Sequence, residues 1–364
     1  MSGGVDSSVA AALLVEQGYQ VTGAYMKQWS DGADIQGVCS WKQDRRDALR
    51  VAAHLGIPLI TLDFEKEYKE WVMGYMFREY EEGRTPNPDV MCNRFIKFGA
   101  WLDKAKDLGF DYLATGHYAR IKISNFQFPI SHRNAASLKS RSLVVSQLQC
   151  AKDLNKDQTY FLHQLNQDQL RHVMFPIGKY TKPQVRKMAV TFGLPTAERE
   201  ESMGICFIGE VPMKDFLQQK IKKQLGKIIT TEGKVIGEHE GLTFYTIGQR
   251  HGLAQAGGGK PLFVVEKNKE KNELIVGLET DPKLYKKEFA ITDIHWISGD
   301  EPKLPFDCMV RLRHRQELQS AVIKKKRGTN TIVVVCRQKQ RAITPGQFAV
   351  FYKGSLCAGG AVVV

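Results

Sequence analysis

No run of about 18 apolar residues occurs anywhere in the chain, so no membrane-spanning helix is expected. The first residues lack a basic stretch leading into an apolar one, so no signal peptide is expected either. Cysteine is present at only seven positions, 39, 92, 150, 206, 308, 336 and 357. That number is odd, the spacing is wide and no C-x-x-C pair occurs. Neither a zinc ribbon nor a disulfide framework is therefore indicated, and no metal site is expected from the protein's own side chains. A reducing, cytoplasmic compartment fits such usage, and single thiols there are free to do chemistry. No long internal repeat is visible. The glycine-rich string at the start also lacks the lysine of G-x-x-x-x-G-K-[ST], which excludes the common nucleoside-triphosphatase loop.

The 364 residues suggest two or three domains at roughly 100–200 residues each. With 43% hydrophobic and 25% charged residues, there is enough apolar side chain for more than one core. The net charge is +13 and the pI about 9.3. Such a surplus favours a polyanionic partner, because Lys and Arg neutralise phosphates and release counterions. A generally basic, solvated surface is the plainer alternative.

Residues 1–118 alternate between helix-like and strand-like runs: 9–17 helix, 19–26 strand, 41–55 helix, 58–63 strand, 67–82 and 95–108 helices, 112–115 strand. That order predicts a parallel sheet covered by helices, with ligands at the C-terminal ends of its strands. A phosphate loop normally follows a strand, yet here it starts at residue 2. Met1 is therefore expected to be internal to a longer natural chain. Residues 121–150 lack clear periodicity and read as a loop or weak hairpin. A helix is expected over 179–192, with Pro183 in its first turn and Gly193 past its end, and a short amphipathic one over 211–223. Short strands are expected at 228–230, 233–236, 243–246, 262–267 and 273–277. From 288 onward the pattern is nearly all strand, as in 289–295, 308–312, 320–325, 331–337 and 347–352, which suggests a small barrel or sandwich. The expected fold is thus an α/β N-terminal domain with a parallel sheet (1–203), a small central β-rich domain (204–283) and a C-terminal β-barrel (284–364).

Three strings carry chemistry. Ser2-Gly3-Gly4-Val5-Asp6-Ser7-Ser8 runs straight into a helix. Its glycines let the backbone approach a ligand, and its hydroxyls and helix N-terminal N–H groups suit an anion. A plain helix cap accounts for one serine but not for the whole string. Thr85-Pro86-Asn87-Pro88-Asp89-Val90-Met91-Cys92-Asn93 rigidifies a loop with two prolines and sets a carboxylate three residues before a thiol. Near a helix N-terminus, with Arg84, Arg94 and Lys97 close in sequence, that thiol would gain thiolate character. A buried structural cysteine is the alternative. Glu201-Ser202-Met203-Gly204-Ile205-Cys206-Phe207-Ile208-Gly209 holds a second cysteine, whose apolar neighbours alone favour a core position.

The first string resembles the pyrophosphate loop of the ATP pyrophosphatase superfamily. With the other two, and with 23–29, 114–120, 155–162, 245–253 and 343–347, the chain resembles the tRNA-specific 2-thiouridylase family over nearly its whole length. The resemblance implies a sulfurtransferase that adenylates the C2 oxygen of the wobble uridine with ATP, releases pyrophosphate and replaces the AMP-bearing oxygen with sulfur. It implies that Cys206 carries a persulfide, that Cys92 resolves it through a disulfide and that Asp89 assists activation. Ser2, Gly3, Gly4, Val5, Asp6, Ser7, Ser8 and Met26 would hold ATP, with Gly116 near the nucleotide. Asn87, Pro88 and Asp89 would face the target base. His117, Lys156, Asp157, Gln158, Arg313, His314 and Gln347 would meet tRNA. The implied partners are Mg2+ with the ATP, a sulfur-relay protein or cysteine desulfurase, and the tRNAs for Lys, Glu and Gln. The chain departs from the family in the absent first strand, in residues 121–150 and at His314, where the family often has tyrosine. A metabolite synthetase of the same superfamily would share the loop but would need neither the cysteine pair nor a basic C-terminal domain. A non-catalytic tRNA-binding protein would have no need of Asp6, Cys92 and Cys206 together.

Overall fold

The computed structural model describes residues 1–27, 40–126, 143–200, 213–253 and 260–364. The N-terminal region opens with α1 (Val5–Glu16), whose buried Val5, Val9, Ala12 and Leu13 face a core of Val51, Ile177, Val185 and Ala189. Strand β1 (Gly23–Lys27), α2 (Ser40–Leu55) and β2 (Leu59–Asp63) follow, with β1 and β2 parallel from Gly23↔Leu59 to Lys27↔Asp63. The expected 67–82 helix is present but uneven. It runs as Glu65–Glu67, a π-helical stretch Tyr68–Met73, and Gly74–Glu81. The thiol helix begins at Pro88–Met91, widens into a second π-helical stretch over Cys92–Ala100 and ends as Trp101–Asp107. Strand β3 (Leu113–Ala114) pairs in parallel with β6 (Val173–Met174), past the hairpin strands β4 (Ala119–Phe126) and β5 (Leu143–Cys150). The parallel pairing predicted from the α/β alternation is therefore present as two pairs, β1–β2 and β3–β6.

Of the two readings of residues 121–150, loop or weak hairpin, the described residues bear out the hairpin: β4 and β5 pair antiparallel from Ala119↔Cys150 to Phe126↔Leu143. Polar side chains alternate with Ile121, Ile123, Val145 and Leu148, and only Leu148 of these is fully buried, so the apolar stripe is faint in sequence. The inner end of this hairpin joins the C-terminal barrel, where the Cys150 amide donates to the Ser355 carbonyl at 2.8 Å.

The central region pairs β7 (Gly226–Thr230) with β8 (Val235–His239) and with β10 (Glu273–Leu278), which also pairs with β9 (Leu262–Asn268). The strand expected at 243–246 is instead a single 3-10 turn, Leu242–Phe244. Its Phe244 amide reaches back to the Gly241 carbonyl at 3.2 Å, and Gly241 takes the positive φ that starts it. The C-terminal region is a closed six-stranded barrel: β11 (Tyr285–Trp296), β12 (Phe306–Arg311), β13 (Gln319–Lys325), β14 (Ile332–Arg341), β15 (Phe348–Lys353) and β16 (Leu356–Val363). The order is β11-β14-β13-β12-β15-β16, and β16 closes back on β11. Closure removes open edges within the barrel. Strand β16 was not read from the sequence, because Gly359 and Gly360 dilute its alternation.

One hydrophobic cluster spans two of these regions. Met73, Cys92, Ile96, Phe98 and Leu102 of the N-terminal helices pack in the same core as Phe348, Val350 and Tyr352 of the barrel. The barrel is thus built onto the domain that carries the chemical motifs, and the segment Thr159–Gln167 is its seat. The Tyr160 hydroxyl is 3.2 Å from both the Leu312 and Phe348 carbonyls, the Thr159 hydroxyl is 3.2 Å from Tyr352 Oη, and His295 Nε2 lies 2.9 Å from the Leu165 carbonyl.

Candidate active site

The glycine-rich string forms a tight turn before α1. Gly3 has φ +76°, and a Cβ there would collide with the Asp44 carbonyl oxygen of α2, so only glycine fits. Gly4 is the N-cap, and no side chain caps the helix. The serines instead bond among themselves. Ser7 Oγ accepts from the Ser2 amide at 3.1 Å, and the Ser7 and Ser8 hydroxyls donate to the Gly4 carbonyl at 3.2 and 2.8 Å. The first-turn N–H groups of α1 have no earlier helical carbonyl to bond, the usual condition for holding an anion. Gly116 lies against this turn, and a Cβ on it would come within 2.7 Å of both Asp6 C and Ser7 N.

Three residues that sequence reasoning did not assign fix the loop. Arg199 donates to the Gly3 carbonyl at 2.8 Å and to Asp47 at 2.7 Å, and it pairs with Asp44. Lys182 Nζ lies 2.7 and 2.9 Å from the two Asp6 oxygens, and Tyr118 Oη donates to Asp6 Oδ1 at 3.0 Å. Tyr118 stood inside the string 114–120, and Lys182 stands in a T-K-P-Q helix start with a capping box on Thr181. Both signals were present in the sequence without a role attached. Met26 is buried at the C-terminal end of β1.

The second string starts where the domains meet. Asn87 caps the short helix, its Oδ1 accepting from the Val90 amide at 3.3 Å, with Pro88 as the first helical residue. Asp89 is in the first turn, whereas Cys92 follows the last residue of that turn and its amide donates to helical carbonyls. The Cys92 side chain is fully buried in the shared core. The sequence placed this thiol close to the helix N-terminus. The structure moves it one turn inward, where the positive end of the helix acts less strongly. Immediately upstream, Gln347 Nε2 donates to the Thr85 and Pro86 carbonyls at 3.0 Å each, and the Thr85 amide donates to the Pro345 carbonyl at 2.9 Å. Gly346 has φ +88°, and its missing Cβ leaves room for the Thr85 backbone. Thr85 Oγ1 is also 3.3 Å from Thr246 Oγ1 of the central region. The loop in front of Asp89 and Cys92 is therefore held by both C-terminal regions.

The other nominated residues fall around this junction. His117 sits against Phe98 and Phe175, ring centroids 5.7 and 6.1 Å away, with Nδ1 2.8 Å from Thr115 Oγ1. Burial, aided by the Lys97 charge, holds its pKa well below the ordinary histidine value, so the ring is neutral. Asp157 is buried and accepts from the Ala151 amide at 2.9 Å, Thr159 Oγ1 at 2.7 Å and Arg311 at 3.0 Å. Its carboxylate is committed to joining the barrel to the domain. Gln158 Oε1 accepts from the Tyr118 amide at 2.9 Å. Arg313 donates to the Ala342 carbonyl at 2.5 Å, and the His314 ring lies 4.7 Å from the Phe161 ring, tilted 43° to it. Burial, then the Arg315 and Arg311 charges, push the His314 pKa down to about 4. Lys156 is half-buried on the same loop as Asp157. Cys206 lies outside the described residues, as does Cys39. The four thiols of the barrel and its hairpin are protonated at neutral pH. Burial raises Cys150 and Cys336 to about 11 and Cys308 to about 12, and holds Cys357 well above the usual thiol range.

An α/β domain with an anion loop, joined to two β-rich units across a thiol-bearing loop, defines a nucleotide-dependent enzyme of the HUP class. Three family models match consecutively: a tRNA methyl transferase HUP domain over residues 1–210, a tRNA methyl transferase PRC-barrel domain over 214–278, and an aminomethyltransferase beta-barrel domain over 286–363. Proteins named tRNA-specific 2-thiouridylase MnmA are similar throughout. Those of Bacillus cytotoxicus and Bacillus cereus are each 47% identical over 100% of this chain and 93% of their own length. That of Alkaliphilus oremlandii is 47% identical over 100% of this chain and 95% of its own. The chain belongs to the tRNA-specific 2-thiouridylase family.

Proposed function

We propose that this protein is a tRNA-uridine 2-sulfurtransferase that uses ATP to replace the C2 oxygen of a tRNA uridine with sulfur. The observation that carries the reading is a glycine- and serine-rich turn opening α1, with Lys182 on its Asp6, and a Cys92-bearing helix behind the Thr85–Pro88 loop, in a chain 47% identical end to end to proteins named for this reaction. The words methyl transferase in the family descriptions fit the site less well. A methyl donor is already activated as a sulfonium and needs no phosphate loop, whereas a uracil oxygen leaves only after it has been adenylated.

ATP would bind at Ser2–Ser8, with Met26 and Gly116 beside the nucleotide. Mg2+ would arrive with the phosphates, since Mg2+ keeps few protein ligands when phosphates supply oxygens. The uridine O2 attacks the α-phosphorus and pyrophosphate leaves. The outer sulfur of a persulfide on Cys206 then attacks C2 and AMP leaves. Cys92 Sγ, as thiolate, attacks Cys206 Sγ, which breaks the S–S bond, leaves the sulfur on C2 and forms a Cys92–Cys206 disulfide. An external dithiol returns the pair to thiols, and a sulfur-relay protein or cysteine desulfurase reloads Cys206. Asn87, Pro88 and Asp89 would face the target base, with Asp89 assisting proton transfer. His117, Lys156, Gln158, Arg313 and His314 would meet the tRNA, drawn from those for Lys, Glu and Gln. We place domain limits at 203/204 and 283/284. The cytoplasm suits this chemistry, and no helix among the described residues is long and apolar enough to cross a membrane.

The test is the pair of serine variants. Cys92→Ser should accept one added sulfur on Cys206, read by mass spectrometry, and make no multiple turnovers. Cys206→Ser should bind ATP and tRNA and transfer no sulfur. Normal multiple-turnover thiolation by either variant would refute these two roles.

A further inference from the structure

Lys182 is a lysine whose side chain is only 10% exposed, and it is aimed at the phosphate loop. It opens the helix Lys182–Thr191, and Pro183 fixes that start. The Lys182 amide donates to Asp153 Oδ2 at 2.9 Å, while its ammonium spans both Asp6 oxygens at 2.7 and 2.9 Å and lies 5.9 Å from the centre of the Tyr118 ring. Asp6 sits in the first turn of α1, where the uncapped N–H groups are. A carboxylate there favours the helix dipole but repels the phosphates the loop is built to accept. A loop that must take a polyanion therefore has to cancel that charge, and a long cation drawn out of solvent by the adjacent helix does so.

We infer that Lys182 is a positioning residue of the phosphate site: it neutralises Asp6 and holds it with Tyr118, so that the loop presents net positive potential to a nucleotide's phosphate chain. The inference rests on the reading of Ser2–Ser8 as a phosphate loop. It extends that reading to a residue 176 positions away, outside every motif assigned above.

The experiment is a charge-graded binding series on the full-length protein, by calorimetry in buffer with EDTA and no divalent cation, using adenosine, AMP, ATP and inorganic pyrophosphate. Wild type should bind ATP more tightly than adenosine. If it binds no nucleotide, the phosphate-loop reading itself fails. Lys182→Met should weaken ATP and pyrophosphate at least tenfold, weaken AMP less and leave adenosine within twofold. Lys182→Arg should retain most of the ATP affinity. Adding Asp6→Asn to Lys182→Met should recover part of the lost pyrophosphate binding, because the uncompensated carboxylate is gone. A scaffold role would instead weaken adenosine and ATP by the same factor, fail in Lys182→Arg as well, and gain nothing from Asp6→Asn. That pattern, or wild-type ATP affinity in Lys182→Met, overturns the inference. Thermal melts of each variant separate loss of fold from loss of binding.

Discussion

At the scale of single residues, burial decides which nominated groups carry charge. The family resemblance nominates His314 as a tRNA contact, where a ring can stack on a base or meet a phosphate. Its place against Phe161, with a pKa near 4, makes it neutral at physiological pH, which leaves stacking as its mode. The sign follows from linkage. The folded pKa lies below the ordinary value of 6.5, so the unfolded chain binds the extra proton between the two. His314 therefore makes stability rise with pH from about 4 to 6.5 and adds no slope above that. His314→Phe should remove this part of the pH dependence and leave the salt dependence of tRNA binding as in wild type. Melting curves of both proteins across that window, with filter binding at several salt concentrations, provide the check. A shallower salt slope in the variant would mean that the histidine carries charge to a phosphate.

At the scale of elements, the informative feature is the strap from Thr344 to Gln347, which grips the loop in front of the thiol helix. The sequence resemblance nominates Gln347 as a tRNA contact, whereas the structure spends its amide on the Thr85 and Pro86 carbonyls. Gln347→Ala should free that loop and lower kcat for thiolation about tenfold to a hundredfold, since small misplacements near reacting groups have effects of that order. The tRNA affinity should change less than threefold. Single-turnover thiolation set beside tRNA binding decides the matter. An affinity loss as large as the rate loss would make Gln347 a direct tRNA contact.

The strap also marks how far the sequence could be read. Helices with strong stripes and clear stops, such as 41–55 closed by Gly56, were legible because their signals are local. So were the barrel strands 285–296 and 306–353, with their apolar alternation. Strands whose pattern is set by a distant partner were not legible. The β4–β5 hairpin gains its order partly from the barrel, and β16 accepts glycines because neighbours crowd it. A Cβ at Gly360 would press on the His163 ring. Within the site, the phosphate string and the Asp89–Cys92 loop were legible as strings. Lys182, Arg199 and the Asp157–Arg311 pair were not, because each depends on residues more than 150 positions apart meeting in space. The run 201–212, with Cys206, lies outside the described residues, so its place rests on sequence alone.

At the scale of the whole molecule, the domain that holds the phosphate loop and the C-terminal barrel share a core, and a buried ion pair sits at their joint. Arg311 and Asp157 are 7% and 0% exposed at 3.0 Å, with Arg311 over the Tyr352 ring. Arg311→Ala would leave the Asp157 carboxylate buried with its hydroxyl and amide donors but no cation. Breaking such a pair costs about 3–5 kcal/mol, so the variant should melt well below wild type and the barrel should loosen from its seat. Urea unfolding followed by tryptophan emission measures the change, and a shift within 0.5 kcal/mol (about the size of an ordinary surface substitution) would mean the pair contributes little.

That joint matters because the account makes one enzyme of the three parts. On the proposed function, the barrel would hold the tRNA, the strap would set the base loop, and the phosphate loop would deliver the adenylate. The most direct measurement incubates the full-length protein with ATP, unmodified tRNA and a persulfide donor, and counts pyrophosphate and nucleoside products together. The account predicts pyrophosphate release that depends on tRNA, matched one for one by 2-thiouridine and AMP. Pyrophosphate released at the same rate without tRNA, or tRNA recovered with no 2-thiouridine, would contradict it.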